Sequence, residues 1–134
     1  MKNIAWDESL SVEVDEIDED HRRLVDLFNI LSNSVAEGES TDYIDAVLEE
    51  LISCTIWHFR HEERLMMIYK YEALEAHKAE HNKLIESVRA LQQKFHEANK
   101  QLSNDDIEYL SNWLTEHILG YDMRLGFYLE EVMK

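Results

Sequence analysis

Apolar residues along the chain fall into stripes spaced three and four apart. Leu24, Val25, Phe28, Leu31 and Val35 form one; Leu84, Ile85, Val88, Leu91 and Phe95 a second; Ile107, Leu110, Trp113, Leu114 and Ile118 a third. That period is the signature of helices buried on one face. Leu10, Val12, Val14 and Ile17 roughly alternate with polar residues instead, which predicts an extended arm over about residues 1–17. Proline is absent and glycine occurs only at Gly38, Gly120 and Gly126, so the helices should be long and the punctuation sparse. A single helix over 41–100 would span ~90 Å, too long for a compact domain of this length. The chain must therefore fold back at points that its turn residues do not all mark.

The chain has 134 residues, enough for one domain with a real core. Its 29 acidic and 13 basic side chains leave a net charge of −16. Nucleic acid and anionic membranes are poor partners for such a surface. The charge also favours a monomer. No apolar run approaches the ~20 residues of a spanning helix. The start, MKNIAWDESL, lacks the apolar stretch of a signal peptide, which gives a cytoplasmic address as the expectation. A single cysteine, Cys54, rules out an internal disulfide and a cysteine-built metal cage.

Seven histidines stand out, and they are unevenly placed. His58 and Glu62 are four apart, as are His77 and His81, and residues four apart share a helix face. His21 and His117 sit on two further apolar stripes. If these groups meet at one level of an antiparallel bundle, each turn must lie midway between successive sets. The midpoints fall at Gly38-Glu39-Ser40-Thr41, at Tyr69-Lys70-Tyr71, and near 98, just before Lys100-Gln101-Leu102-Ser103. The first carries a helix-stop glycine and a capping serine. The third precedes Ser103-Asn104-Asp105-Asp106, which has capping-box spacing. The middle one is unpunctuated, but the two pairs can meet only if the chain turns there. The reading is an all-α, antiparallel up-down-up-down four-helix bundle. Its helices cover about 18–37, 41–68, 72–99 and 104–120, followed by a short helical tail over 121–134.

Imidazole and carboxylate without thiolate suit iron, zinc or manganese. Five histidines with Glu62 and Asp122 exceed the needs of one tetrahedral zinc and suit two metals bridged by carboxylates. Asp122 lies five residues after His117, ~140° round an ideal helix, so Gly120 is needed as a kink or helix end to bring it inward.

The strings WDESLSVEVDEIDEDH (6–21), HFRHEERLM (58–66), HKAEH (77–81) and WLTEHILGYD (113–122) resemble hemerythrin, in its single-domain bacterial form. The likeness spans essentially the whole chain. It implies reversible dioxygen binding, without turnover, at two iron ions joined by an oxo or hydroxo bridge. His77, His81 and His117 would hold one iron, His21 and His58 the other, and Glu62 and Asp122 would bridge them. The His21/His58 iron would then be five-coordinate and would take dioxygen as hydroperoxide. The resemblance further implies a dry pocket lined by Leu24, Phe59, Trp113 and Leu114, to which periodicity adds Phe28. Departures are Asp20 where glutamine is frequent, Glu13 and Asp15 in the arm, and Lys70-Tyr71-Glu72 where glycine and proline are frequent. Asp20 is expected to touch the tuning of His21.

Other readings remain beside this one. The same centre can serve a sensor of oxygen, redox state or nitric oxide, or iron handling and detoxification of peroxide or nitric oxide. His77-Lys78-Ala79-Glu80-His81 matches an inverted zinc-peptidase motif, but Glu80 should point away from the bundle core. A ferritin-like oxidase needs a richer carboxylate set. His61 and His96 are expected at the surface or behind the ligands. Cys54 and Met66 should be core packing, and Trp6 should dock the arm.

Overall fold

A computed structural model describes residues 3–97 and 101–133 of the chain. It contains α1 (Asp15–Ala36), α2 (Thr41–Ile68), α3 (Leu74–Glu97), α4 (Asn104–His117), a π-helical turn (Ile118–Asp122) and α5 (Met123–Val132). No strand occurs among the described residues. Helices α1 to α4 form a four-helix bundle. Its core is built from the expected stripes, with Phe28, Phe59, Phe95, Leu31, Leu48 and Ile107 among the side chains most fully removed from water. Met66 is buried with them and Cys54 is half-buried at their edge.

The turns close by local hydrogen bonding. At Gly38 (φ +69°) the N–H of Glu39 bonds Ser34 O at 3.0 Å, a Schellman closure on the left-handed residue that glycine accepts freely. The unpunctuated turn uses the same device. Lys70 takes φ +55°, and the N–H of Tyr71 reaches Met66 O at 2.9 Å. A non-glycine residue there costs about 1–2 kcal/mol. The Tyr128 hydroxyl of α5 donates to the carbonyls of Tyr69 and Lys70 and pins this turn from outside. Ser103 and Asp106 form the capping box that starts α4. The chain just before it, near the third midpoint, lies partly outside the described residues.

Three boundaries differ from the sequence reading. Helix α1 begins at Asp15, not 18, because Asp18 one turn in accepts from Val12 N and Ser11 Oγ and holds the chain entering the helix. The arm therefore ends at Val14 and carries a short 3₁₀ turn at Glu8–Leu10. Helix α3 begins at Leu74, not 72, since the Schellman closure uses Tyr71. Helix α4 ends at His117, not 120, and the helical tail is present as α5. The π turn carries the chain from α4 into α5 without a break.

The arm is fixed along the bundle. Asn29 of α1 exchanges two hydrogen bonds of 2.8 Å with the backbone of Ile4. Trp6 packs against the core with the Arg22 guanidinium 5.0 Å from its ring centre. Val12 passes so close to α5 that a Cβ on Gly126 would lie 2.3 Å from the Val12 carbonyl oxygen. Gly126→Ala should therefore displace the arm and cost about 1–3 kcal/mol. Thermal unfolding should show the loss, and hydrogen exchange over residues 3–14 should rise.

Candidate metal centre

Each helix of the bundle sends ligand-type side chains to one level of the core. His21 comes from α1, His58 and Glu62 from α2, His77 and His81 from α3, His117 from the end of α4 and Asp122 from the π turn. All seven are buried. The i,i+4 pairs sit on single helix faces, as their spacing requires. The last pair depends on the backbone. In a π turn the hydrogen bonds run from i to i+5, so residues five apart come onto one side, and Asp122 Oδ1 lies 3.1 Å from His117 Nε2.

The donor atoms fall into two groups, one of Glu62, His77, His81, His117 and Asp122 and the other of His21, His58, Glu62 and Asp122. Every histidine presents Nε2. The two carboxylates belong to both groups, and each divides its oxygens between them. Glu62 Oε1 is 3.0 Å from His81 Nε2 and 3.7 Å from His77 Nε2, while Oε2 is 3.5 Å from His58 Nε2 and 4.0 Å from His21 Nε2. Asp122 Oδ1 is 3.1 Å from both His77 and His117 Nε2, while Oδ2 is 2.8 Å from His21 Nε2 and 3.8 Å from His58 Nε2. His21 and His58 Nε2 are 3.1 Å apart. Two donors about 2.1 Å from one metal at a right angle are separated by about 3 Å.

Protonation chemistry also fits a cation. His81 Nδ1 donates to Glu63 Oε2 at 2.9 Å, and burial with the neighbouring His77 and His117 pushes its pKa down to about 2. The ring is neutral and its Nε2 is a lone pair facing Glu62. Burial lowers His21 likewise. Glu62 is pushed well up, by burial and then by the Asp122 charge. Asp122 is held well down, because His117, His21 and His58 outweigh its burial. Two acceptors at 3.0 Å need a proton or a cation between them. Glu62 Oε2 and both ring nitrogens of His117 are buried without a hydrogen-bond partner. These are orphaned donors of the type a metal takes up.

Behind the donors stands a second set of carboxylates. Asp20 Oδ2 accepts from His58 Nδ1 at 3.0 Å and from His61 Nδ1 at 2.5 Å, and His61 Nε2 faces Glu16 at 3.5 Å. Burial raises the Asp20 pKa, but the two histidines bring it below the usual carboxylate value. Asp20 thus serves His58 rather than His21, the partner expected from sequence. Glu63 escaped the sequence reading, although Phe59, Glu62, Glu63 and Met66 share one buried face at spacing three and four. A carboxylate on that face was the available signal. His96 stays outside the site and pairs with Asp45 at 2.9 Å.

Leu24, Phe28, Phe59, Trp113 and Leu114 are all buried. The Phe59 ring stacks on His81 with centres 3.9 Å apart, and it lies 5.9 Å from His58 and 6.3 Å from Trp113. It borders both donor groups.

A four-helix bundle whose core joins five imidazoles through two shared carboxylates belongs to the class of non-heme metal-binding bundles. The family described as Hemerythrin HHE cation binding domain matches residues 12–126. A bacteriohemerythrin of Methylococcus capsulatus is 34% identical over 109 residues, covering 81% of this chain and 82% of its own. One from Pseudomonas paraeruginosa is 32% identical over 122 residues, covering 91% and 78%. The crystal structure of a wild-type hemerythrin superposes with a TM-score of 0.86 at 31% identity, over 94% of this chain and 97% of that one. The chain belongs to the hemerythrin family, whose members bind a di-iron centre, and its histidine–carboxylate cluster is positioned to hold one.

Asp20→Ala should lower metal affinity about 10–100-fold by freeing the His58 ring, and Asp20→Asn should lower it less. Competition with a chelator measures both, with His96→Ala unchanged as the reference.

Proposed function

We propose that this protein binds dioxygen reversibly at a di-iron centre. His77, His81 and His117 hold one iron, His21 and His58 hold the other, and Glu62 and Asp122 bridge them. The observation that carries this reading is the division of each carboxylate's oxygens between the two histidine groups. Family membership supports oxygen binding as the general activity.

The donor count is unequal. One group offers three imidazoles and two carboxylate oxygens, the other two imidazoles and two carboxylate oxygens. A metal on the His21/His58 side would therefore have one protein donor fewer, which makes that side the one open to dioxygen. Two irons at the centre would supply the electrons that reversible dioxygen binding requires, and these residues would hold them.

The surrounding residues keep the exchange reversible. His58 is locked in one ring orientation by Asp20, and His81 by Glu63. Leu24, Phe28, Phe59, Trp113 and Leu114 line the pocket and deny it water and further protons. No helix among the described residues is long and apolar enough to cross a membrane.

The iron-loaded protein should carry two irons per chain. Its reduced form should gain a peroxide-to-iron charge-transfer band in air and lose it under argon through repeated cycles. His58→Ala should abolish the band and leave about one iron. A wild-type band that decays once to the ferric state would assign the same centre to sensing or detoxification. One zinc per chain without a band would overturn the di-iron reading.

A further inference from the structure

Seven buried donors in a closed bundle leave open how a hydrated dication reaches them. Six of the seven are 0–1% exposed, and His117, at 5%, is the one nearest to solvent. A cleft of about 490 Å³ in the seam between α3 and α4 reaches His117. Among the described residues the backbones of α3 and α4 approach one another less than those of the other neighbouring helix pairs. A hexahydrated ion occupies about 200 Å³ at ~30 Å³ per water, less than the volume of the cleft.

Its lining is selective in kind. Glu80 and Glu116 flank it, Asn112 and Tyr121 add polar groups, and Trp113 and His117 close its floor. Each glutamate is the residue just before a centre histidine, Glu80 before His81 and Glu116 before His117, so each stands at the edge of the helix face that carries the donors. The hydrogen bonds and ion pairs described for this chain engage neither carboxylate. The floor joins the cleft to the centre. His117, whose Nε2 faces Asp122 at 3.1 Å, lines it, and His117 Nδ1 is buried without a hydrogen-bond partner. Carboxylates at the rim and an imidazole of the centre at the base form a series of hard oxygen and then nitrogen donors. Dioxygen, apolar and uncharged, has no use for such a series.

We infer that the α3–α4 cleft is the route by which divalent metal ions enter and leave the centre, with Glu80 and Glu116 as its capture carboxylates. A hydrated ion is drawn to the rim, exchanges water for carboxylate oxygen, and passes to His117 and then to the buried donors. Glu80, which the sequence placed in a zinc-peptidase motif, has a part here that needs no peptidase. The inference rests on the proposed ligand set, and its test separates the two.

The probe is cobalt(II) added to metal-free protein, with uptake followed by its visible absorption and release followed on transfer to excess chelator. Glu80→Gln with Glu116→Gln should slow uptake and release together, by about tenfold if the cleft focuses charge as such sites do, with the final metal content unchanged. Glu39→Gln, which removes a charge at the distant α1–α2 turn, should leave both rates near wild type. Asn112→Trp, neutral and exposed, should narrow the mouth and slow both rates while circular dichroism stays native. Rates equal to wild type in the double and tryptophan variants overturn the route. So does a slower dioxygen on-rate in Asn112→Trp with unchanged metal uptake, since the cleft would then pass gas. A wild-type chain that takes up no metal overturns the ligand set itself, a distinguishable failure.

Discussion

Everything in this bundle answers to two carboxylates that have no water. Glu62 and Asp122 are fully enclosed, and the groups packed around them are mostly imidazole nitrogens at 3–4 Å. An isolated buried carboxylate is among the most costly groups a core can contain. Protons alone meet the need unevenly, with Asp122 ionised and Glu62 driven towards its neutral form. Two dications would meet it evenly, since one oxygen of each carboxylate faces each histidine group. The second set of carboxylates follows from the same demand. Asp20 and Glu63 hold Nδ1 of His58 and of His81, and so turn Nε2 of each ring towards the shared carboxylates.

Much of this was legible in the chain because helical spacing is rigid. Two i,i+4 pairs and two single histidines on apolar stripes forced a common level, and the midpoint argument placed a turn at Lys70 that no glycine or proline announces. The π turn was hidden. Gly120 marked the place, yet glycine codes for no particular irregularity, and a Cβ there meets nothing within 4 Å. Only the need to bring Asp122 beside His117 hinted at a local rise in residues per turn. Asp20 was noticed and matched to the adjacent histidine, because sequence neighbours are visible and cross-helix neighbours are not. Glu63 was missed for a related reason, having been overshadowed by Glu62. The start of α1 was misplaced because the side chain that holds it, Asp18, lies inside the helix and bonds backward to the arm.

The unequal donor count is a matter of chain economy. Seven side chains reach one level of the four helices, and two of them are shared carboxylates. The three-histidine side gains its extra imidazole from the α3 pair together with α4, whereas α1 contributes one donor alone. The difference in donor number between the two groups thus traces to one helix carrying a pair and another carrying a single residue.

The span of the centre along the chain also bears on how the molecule assembles. His21 meets Asp122 across 101 residues, and His77 meets it across 45. Helix pairs such as α1 with α2 can form from local contacts, but the centre cannot exist until the last of its residues has docked. Closing so long a loop is entropically dear and slow compared with pairing adjacent helices. The bundle is therefore a molecule whose framework precedes its function in time. A chain stalled before the π turn would own six of the seven donors and lack the carboxylate that both groups share, and metal capture would report that folding had finished.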